Sequence, residues 1–149
     1  MNPGDLDIRD LTHTYPDGTR ALDKVSFHMA AGEALAVLGA NGAGKSTLLL
    51  HLNGCLLPQS GEVCLSGQVL ARATLPAIRR AVGLVFQDPD DQLFMPSVAE
   101  DVAFGPQNMG LAPDAAARRA QDCLERVGMA HLSRRPPFRL SAGEKRAVS

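Results

Sequence analysis

The chain has 149 residues, which is enough for one domain with a sizeable buried core. Its composition, 45% hydrophobic and 21% charged residues, excludes a disordered, collagen-like or mucin-like chain. A formal net charge of −1 gives no electrostatic reason to expect a nucleic acid or an anionic membrane surface as its partner.

The first third of the sequence predicts antiparallel strands and then a buried strand. Residues 7–15 and 21–29 mix apolar and polar side chains at short period, and the turn sequence Pro16-Asp17-Gly18 lies between them. Residues 34–38 are apolar at every position, which is typical of a central parallel strand covered on both faces. A glycine-rich loop and a helix from about Lys45 to Asn53 follow.

The middle of the sequence predicts further short elements. Residues 60–70 are typical of two short strands around a Ser66-Gly67 turn, residues 75–80 of a short helix, and residues 82–86 of a second buried strand. We therefore expect residues 1–88 to combine antiparallel strands with the core that surrounds the glycine-rich loop.

From Pro89 onward the pattern is helical. Pro113 and Asp114 are typical of the first two positions of a helix, and Gly128 is typical of its end. The apolar stripe of this helix consists of Ala116, Ala120, Cys123 or Leu124, and Val127. Residues 89–149 are thus expected to form a helical subdomain, and the predicted fold class is α/β.

Cysteines and histidines give no sign of a metal site or a disulfide framework. The three cysteines are far apart in the sequence, which favours buried thiols in a reducing compartment. His13, His28, His51 and His131 lack ligand spacing and are expected on the surface or in the packing. The N-terminus lacks the features of a signal peptide, so we expect a cytoplasmic chain that does not itself span a membrane.

One loop carries a specific chemical signal. Residues 39–46, Gly-Ala-Asn-Gly-Ala-Gly-Lys-Ser, match the phosphate-binding pattern G-x-x-x-x-G-K-[ST] between a predicted buried strand and a helix. Glycines in this pattern let backbone amides approach phosphate oxygens closely. The lysine is expected at the β- and γ-phosphates and the serine hydroxyl on Mg²⁺. The alternative is a glycine-rich turn that contains a lysine by chance.

The loop therefore predicts a site for a magnesium-bound nucleoside triphosphate. The helix that follows the loop adds partial positive charge at its first turn, where a phosphate would lie. The candidate nucleotide-binding residues of the loop and the helix start are Asn41, Gly42, Gly44, Lys45, Ser46 and Thr47.

Four motifs, in this order along the chain, resemble the nucleotide-binding subunits of ATP-binding cassette (ABC) transporters. They are Tyr15, the loop at 39–46, Gln87 and the run Leu140-Ser141-Ala142-Gly143-Glu144. The resemblance implies a P-loop NTPase fold with an N-terminal antiparallel β subdomain and a helical subdomain. It also implies a pair of ATPase subunits, in which Ser141 and Gly143 of one contact the γ-phosphate held by the other.

The resemblance implies roles for two further side chains outside the loop. Tyr15 would stack on the adenine of ATP. Gln87 would lie between Mg²⁺ and the transmembrane partner, so that Gln87 and Lys45 are the candidate catalytic residues and Ser46 and Gln87 the candidate metal residues.

Each motif outside the loop also has a plainer interpretation. Tyr15 is compatible with an edge-strand aromatic that packs beside a turn. Gln87 by itself is an uninformative strand end. Ser141 with Glu144 three residues later is typical of a helix capping box, which we expect in either case.

Two further stretches are similar to the energy-coupling factor importers, in particular to the ATPase subunits of cobalt and nickel uptake systems. These stretches are Gln87–Phe94 and Glu100–Pro106. Leu93 and Phe94 would offer an apolar knob for a helix of a membrane partner. The alternative is a solvated acidic turn with a packing Leu-Phe pair.

The sequence departs from the ABC pattern in composition and in extent. Ala142 stands where the pattern has glycine, and Glu144 where glutamine is commoner. The chain to Ser149 lacks the apolar strand ending in Asp-Glu and the later switch histidine. The resemblance therefore implies a truncated domain with a gap in the centre of its core sheet, which binds MgATP but hydrolyses it poorly or not at all.

The predicted function is the ATP-binding subunit of an energy-coupling factor importer for cobalt, nickel or a related micronutrient. Its expected cofactors are ATP and Mg²⁺. Its expected partners are a second ATPase subunit and transmembrane subunits at the inner face of the cell membrane, with no nucleic acid. The alternatives are a nucleotide-dependent switch that is not tied to transport and a non-functional fragment.

Overall fold

A computed structural model of the protein describes residues 4–149. The chain divides into two compact units, one ending at Leu84 and the other comprising Val85–Ser149. The elements of the first unit are β1 (Leu6–Thr14), β2 (Arg20–Met29), α1 (Lys45–Leu52), β3 (Ser60–Leu65), β4 (Gln68–Val69) and α2 (Leu75–Ala81). The helices of the second unit are α3 (Val98–Asn108), α4 (Pro113–Arg126) and α5 (Ala142–Val148), with single 3₁₀ turns at Pro89–Asp91, Ala130–Leu132 and Pro137–Arg139.

The four strands form one antiparallel sheet in the order β2-β1-β3-β4. The turns that join neighbouring strands occur where the sequence predicts them. Gly18 has a φ of 88°, and its amide donates to the carbonyl of Tyr15 at 2.9 Å between β1 and β2. Ser66 and Gly67 have φ of 50° and 82°, as a two-residue type I′ hairpin loop requires between β3 and β4.

The core of the first unit lies between this sheet and two helices. Leu6, Ile8 and Leu11 of β1 are buried and belong to one apolar cluster. In a regular strand Ile8 and Leu11, which are three residues apart, would lie on opposite faces of the sheet. A β-bulge at Asp10, whose φ is 47°, accounts for the change of register between them. Leu48 of α1 and Ile78 of α2 pack on the same cluster.

Two predicted strands are absent from the structure. Residues 34–38 and 82–86 adopt no regular structure, and in the described part of the chain neither pairs with a strand. Leu35 and Leu38 are 54% and 89% exposed, so the prediction of a covered strand at 34–38 is wrong for this chain. A parallel strand requires hydrogen-bonding neighbours on its edges and covering elements on its faces, and local sequence supplies neither.

The second unit buries small and branched side chains between its helices. Ser97 caps α3, since its hydroxyl accepts from the amide of Glu100. On α4 the buried residues are Ala116, Ala120 and Leu124. Leu124 is buried and Cys123 is exposed, so Leu124 is the one that belongs to the stripe. Val127 is the C-cap residue and is exposed, so its place in the predicted stripe is wrong.

Of the three cysteines only Cys64 is buried, so the expectation of buried thiols is wrong for Cys55 and Cys123. Among the described residues, no helix has both the length and the apolar character that crossing a bilayer requires.

The bulge at Asp10 generates a stability prediction for the glycine opposite it. Gly61 has a φ of 77°, and a Cβ there would overlap with the carbonyl oxygens of Arg9 and Asp10. Gly67 has a similar φ of 82°, but a Cβ there would meet open space. Gly67→Ala should lower the free energy of unfolding by about 1 kcal/mol through backbone strain alone, and Gly61→Ala should lower it clearly more. Urea-induced unfolding measures both, and equal losses would contradict the overlap.

Candidate nucleotide-binding site

The glycine-rich loop between residue 39 and α1 approaches the sheet closely at Gly44. Gly44 is the N-cap residue of α1 with a φ of 84°, in the left-handed region that favours glycine. It is buried, and a Cβ at this position would overlap with the carbonyl oxygen of Ala21 in β2. Glycine is therefore required here both by the backbone angle and by the close approach of β2.

The start of α1 presents backbone amides without a competing carboxylate. The backbone ladder of the helix begins with the amide of Leu48, which donates to the carbonyl of Gly44 at 2.9 Å. The amides of Lys45, Ser46 and Thr47 precede that bond, in the turn whose N–H groups a helix leaves without an internal partner. This first turn contains no acidic residue. The helix start therefore fits an anionic ligand such as a phosphate.

The Lys45 ammonium lies over its own loop. Its Nζ donates to the carbonyl oxygens of Gly39 at 2.9 Å and Ala40 at 2.7 Å. An ammonium has three N–H donors, so these two bonds leave one for a ligand oxygen. Two further candidate residues lie in the same loop. Gly42 has a φ of 81° and open space at the Cβ position, and Asn41 is exposed.

Four side chains of the first unit form a closed ring beside the loop, which we call the histidine cluster: Tyr15, Thr47, His51 and His13. The hydroxyl of Tyr15 hydrogen-bonds Thr47 Oγ1 at 3.0 Å, and His51 Nδ1 donates to the Thr47 carbonyl at 2.7 Å. The His13 ring meets the Tyr15 ring and the His51 ring edge-on, with centroids 4.8 Å and 4.9 Å away. The cluster joins the end of β1 to α1.

The cluster buries two imidazoles whose role the sequence did not reveal. The sequence predicts no more for these histidines than a place in the packing or on the surface. In the structure His13 and His51 are both buried. The single local signal is the i, i+4 spacing of Thr47 and His51 on one helix. Burial lowers the pKa of His51, and the hydrogen bond to the Thr47 carbonyl only partly opposes that shift.

The remaining candidate residues belong to the second unit. Gln87 is exposed, and its backbone carbonyl accepts from Arg146 Nη2 at 3.4 Å. Ser141 forms the predicted capping box of α5 with Glu144, whose amide donates to Ser141 Oγ at 3.3 Å. In return the Ser141 amide donates to Glu144 Oε2 at 2.7 Å and holds the pKa of that carboxyl below its usual value. Gly143 is exposed, with open space around it.

The loop residues fit a magnesium-bound nucleotide. Backbone amides, one ammonium and the exposed hydroxyl of Ser46 converge on the start of α1. Among the described residues there is no cluster of three or more His, Cys, Asp or Glu side chains that would hold a metal ion. Mg²⁺ commonly takes few protein ligands and several phosphate oxygens and waters, so a single hydroxyl beside a nucleotide suits it.

Comparison with known proteins agrees with this chemistry. The sequence profile described as "ABC transporter" matches residues 22–149. A putative ABC transporter ATP-binding protein of Geobacter sulfurreducens is 60% identical over 144 residues, which are 97% of this chain and 58% of that protein. An energy-coupling factor transporter ATP-binding protein of Methanosphaera stadtmanae is 50% identical over 146 residues, which are 97% of this chain and 52% of that protein.

Two solved structures share the fold. CbiO1 of Clostridium perfringens, described as part of the ABC transporter complex CbiONQ, superposes with a TM-score of 0.79 at 41% identity, covering 96% of this chain and 58% of its own. A dimeric ATP-binding cassette in a post-hydrolysis state with ADP and Pi superposes with a TM-score of 0.83 at 26% identity, covering 96% and 66%. The chain spans about half the length of the curated relatives it matches.

The lowered pKa of His51 makes stability depend on pH. Below a pH of about 6.5 the unfolded chain takes up a proton that the folded chain resists, so acidification favours unfolding. The free energy of unfolding should therefore fall between pH 7.5 and pH 5.5. The fall should be smaller in His51→Leu, and urea titrations at several pH values measure it.

His28→Leu is the matched control for that titration because His28 is an exposed imidazole on β2. A His51→Leu slope as steep as that of the unsubstituted chain would contradict the assignment of the pH dependence to His51.

Proposed function

The chain belongs to the ABC transporter family, and from this premise we propose that it comes from the ATP-binding subunit of an energy-coupling factor importer. The predicted fold class is confirmed: the 149 residues form part of an ABC ATPase domain, a P-loop NTPase with an antiparallel β subdomain and helices. The observation that carries the proposal is the loop at the start of α1, seated on β2 through Gly44 with Lys45 over it.

The loop residues have separable roles in the proposed binding of MgATP. Amides from Gly42 to Thr47 donate to phosphate oxygens, aided by the partial positive charge of the helix start. Lys45 supplies a compact positive charge to the β- and γ-phosphates, and the Ser46 hydroxyl ligates Mg²⁺. Mg²⁺ neutralises phosphate charge when it is bound. Tyr15 contacts the adenine base.

We propose that two such subunits act together. In this arrangement Ser141 and Gly143 of one subunit contact the γ-phosphate of ATP held by the loop of the other. The exposure of both residues supports the proposal, as does the description of one structural relative as dimeric with ADP and Pi bound. The capping box leaves the first turn of α5 well ordered for such a contact.

The proposed transport role depends on membrane subunits. One relative is named as an energy-coupling factor ATP-binding protein and another as part of the CbiONQ complex, which supports an energy-coupling factor importer. The cargo that we propose, cobalt, nickel or a related micronutrient, rests on the sequence resemblance alone. The subunit would lie on the cytoplasmic face of the membrane, and Gln87 would connect Mg²⁺ to the transmembrane partner. Phe94 is 65% exposed and meets Phe104 edge-on at 5.0 Å, a surface suited to a membrane partner's helix.

For the 149-residue chain alone we propose binding without sustained hydrolysis. The sequence contains no apolar strand ending in Asp-Glu, which in the resembled family supplies the general base. The unpaired segments at 34–38 and 82–86 are the places where the rest of the subunit would complete the core sheet.

Nucleotide titration of Lys45→Ala tests the site. Loss of a charge-assisted contact should weaken MgATP binding about ten- to hundredfold, whereas the exposed Lys24→Ala on β2 should bind like the unsubstituted chain. Equal affinity in Lys45→Ala would refute the site. Steady phosphate release by the 149-residue chain, lost in Lys45→Ala, would refute the proposed lack of hydrolysis.

Co-purification of the full-length subunit with its membrane subunits tests the transport role. Phe94→Asp should greatly reduce recovery of the membrane subunits, since it places a charge on the apolar docking surface. Phe138→Asp is the matched control because Phe138 is 76% exposed, and it should retain the partners. Recovery of nucleic acid in place of membrane subunits would favour a switch protein that is not tied to transport.

A further inference from the structure

The histidine cluster contains polar atoms that packing alone does not explain. Among the described residues, His13 Nδ1 and His51 Nε2 are buried without a hydrogen-bond partner. Burying a polar atom in this way is unfavourable, and a leucine would fill the same space without that cost but would present no aromatic ring to its neighbours. His13 nevertheless lies directly beside the candidate base-contacting residue Tyr15, and His51 beside Thr47 in the first turn of α1.

The hydrogen-bond geometry fixes the place of one proton on one ring. The Thr47 carbonyl can only accept, so His51 Nδ1 carries a proton. His51 is thereby tied to the backbone of α1 one turn after the loop. Its ring supports His13, and the His13 ring in turn meets Tyr15.

Tyr15 is therefore held from two sides relative to the phosphate loop. On one side its hydroxyl bonds Thr47 Oγ1. On the other side its ring rests against His13, which α1 supports through His51. Tyr15 itself follows the last residue of β1, and its backbone amide donates to Thr19 at 2.9 Å in the adjoining turn. The four-residue ring thus sets the distance between this aromatic side chain and the loop amides.

We propose that His13 and His51 are positioning residues for the nucleoside part of the bound nucleotide, acting through Tyr15. This inference rests on the proposed function, because it takes Tyr15 as the residue that contacts the base. It predicts that the cluster governs how tightly the base is held. The phosphates are instead contacted by Lys45 and the loop amides, and the histidine cluster makes no phosphate contact in this proposal.

Two ligands separate these contributions: MgATP, and magnesium tripolyphosphate, which offers the phosphates without a base. His13→Leu removes the ring that supports Tyr15, and Tyr15→Phe removes the hydroxyl that bonds Thr47. Each should weaken ATP binding about three- to tenfold while leaving the affinity for tripolyphosphate within about twofold of the unsubstituted chain. His13→Phe keeps an aromatic ring against Tyr15 and should restore most of the ATP affinity.

His28→Leu is the control, since His28 is exposed on β2 and lies outside the cluster. Isothermal titration of each variant, with circular dichroism to verify folding, measures both affinities. Equal weakening of ATP and tripolyphosphate, unchanged ATP affinity in His13→Leu, or a His13→Phe as weak as His13→Leu would each overturn the inference. If Lys45→Ala leaves both ligands bound, the proposed site itself fails, and the inference falls with it.

Discussion

The contact between Gly44 and the Ala21 carbonyl is the constraint on which the rest of the site depends. It brings the backbone of the phosphate loop against β2 at a position where no side chain fits, and it does so at a φ that L-residues rarely adopt. Because Gly44 is also the N-cap of α1, the same contact determines where the helix begins and in which direction its first amides point. The carbonyls of Gly39 and Ala40 then hold the Lys45 ammonium over the loop.

Around this contact the first unit combines two kinds of support. Branched side chains from β1, α1 and α2 form an apolar cluster that fixes α1 against the sheet. The histidine cluster adds a polar connection from α1 to the end of β1, through the hydrogen bond between the Tyr15 hydroxyl and Thr47 Oγ1. The apolar cluster holds α1 against the sheet, whereas the polar connection holds the Tyr15 side chain at a defined distance from the loop.

The second unit is built by different local devices. Its helices begin with a serine cap at Ser97, a proline at Pro113 and a capping box at Ser141. Each device satisfies or removes amides that a helix start would otherwise leave unpaired. The residues that the family resemblance assigns to a partner's γ-phosphate and to a membrane subunit lie on this unit. Ser141, Gly143, Gln87 and Phe94 are exposed, whereas Leu93 is partly buried against the apolar core of the unit. Such exposure suits contacts that form only when other subunits are present.

Local sequence was enough to determine the phosphate loop, the hairpin turn at Ser66-Gly67, the start of α4 and the capping box of Ser141. Each depends on backbone angles or on hydrogen bonds within a few residues, which the residue types at fixed spacing already specify. Tertiary structure alone decided that residues 34–38 and 82–86 are not strands, because a strand exists only with neighbours to pair with. It also decided that Leu124 rather than Cys123 faces the core and that His13 meets His51, since both depend on which surfaces distant segments turn toward each other.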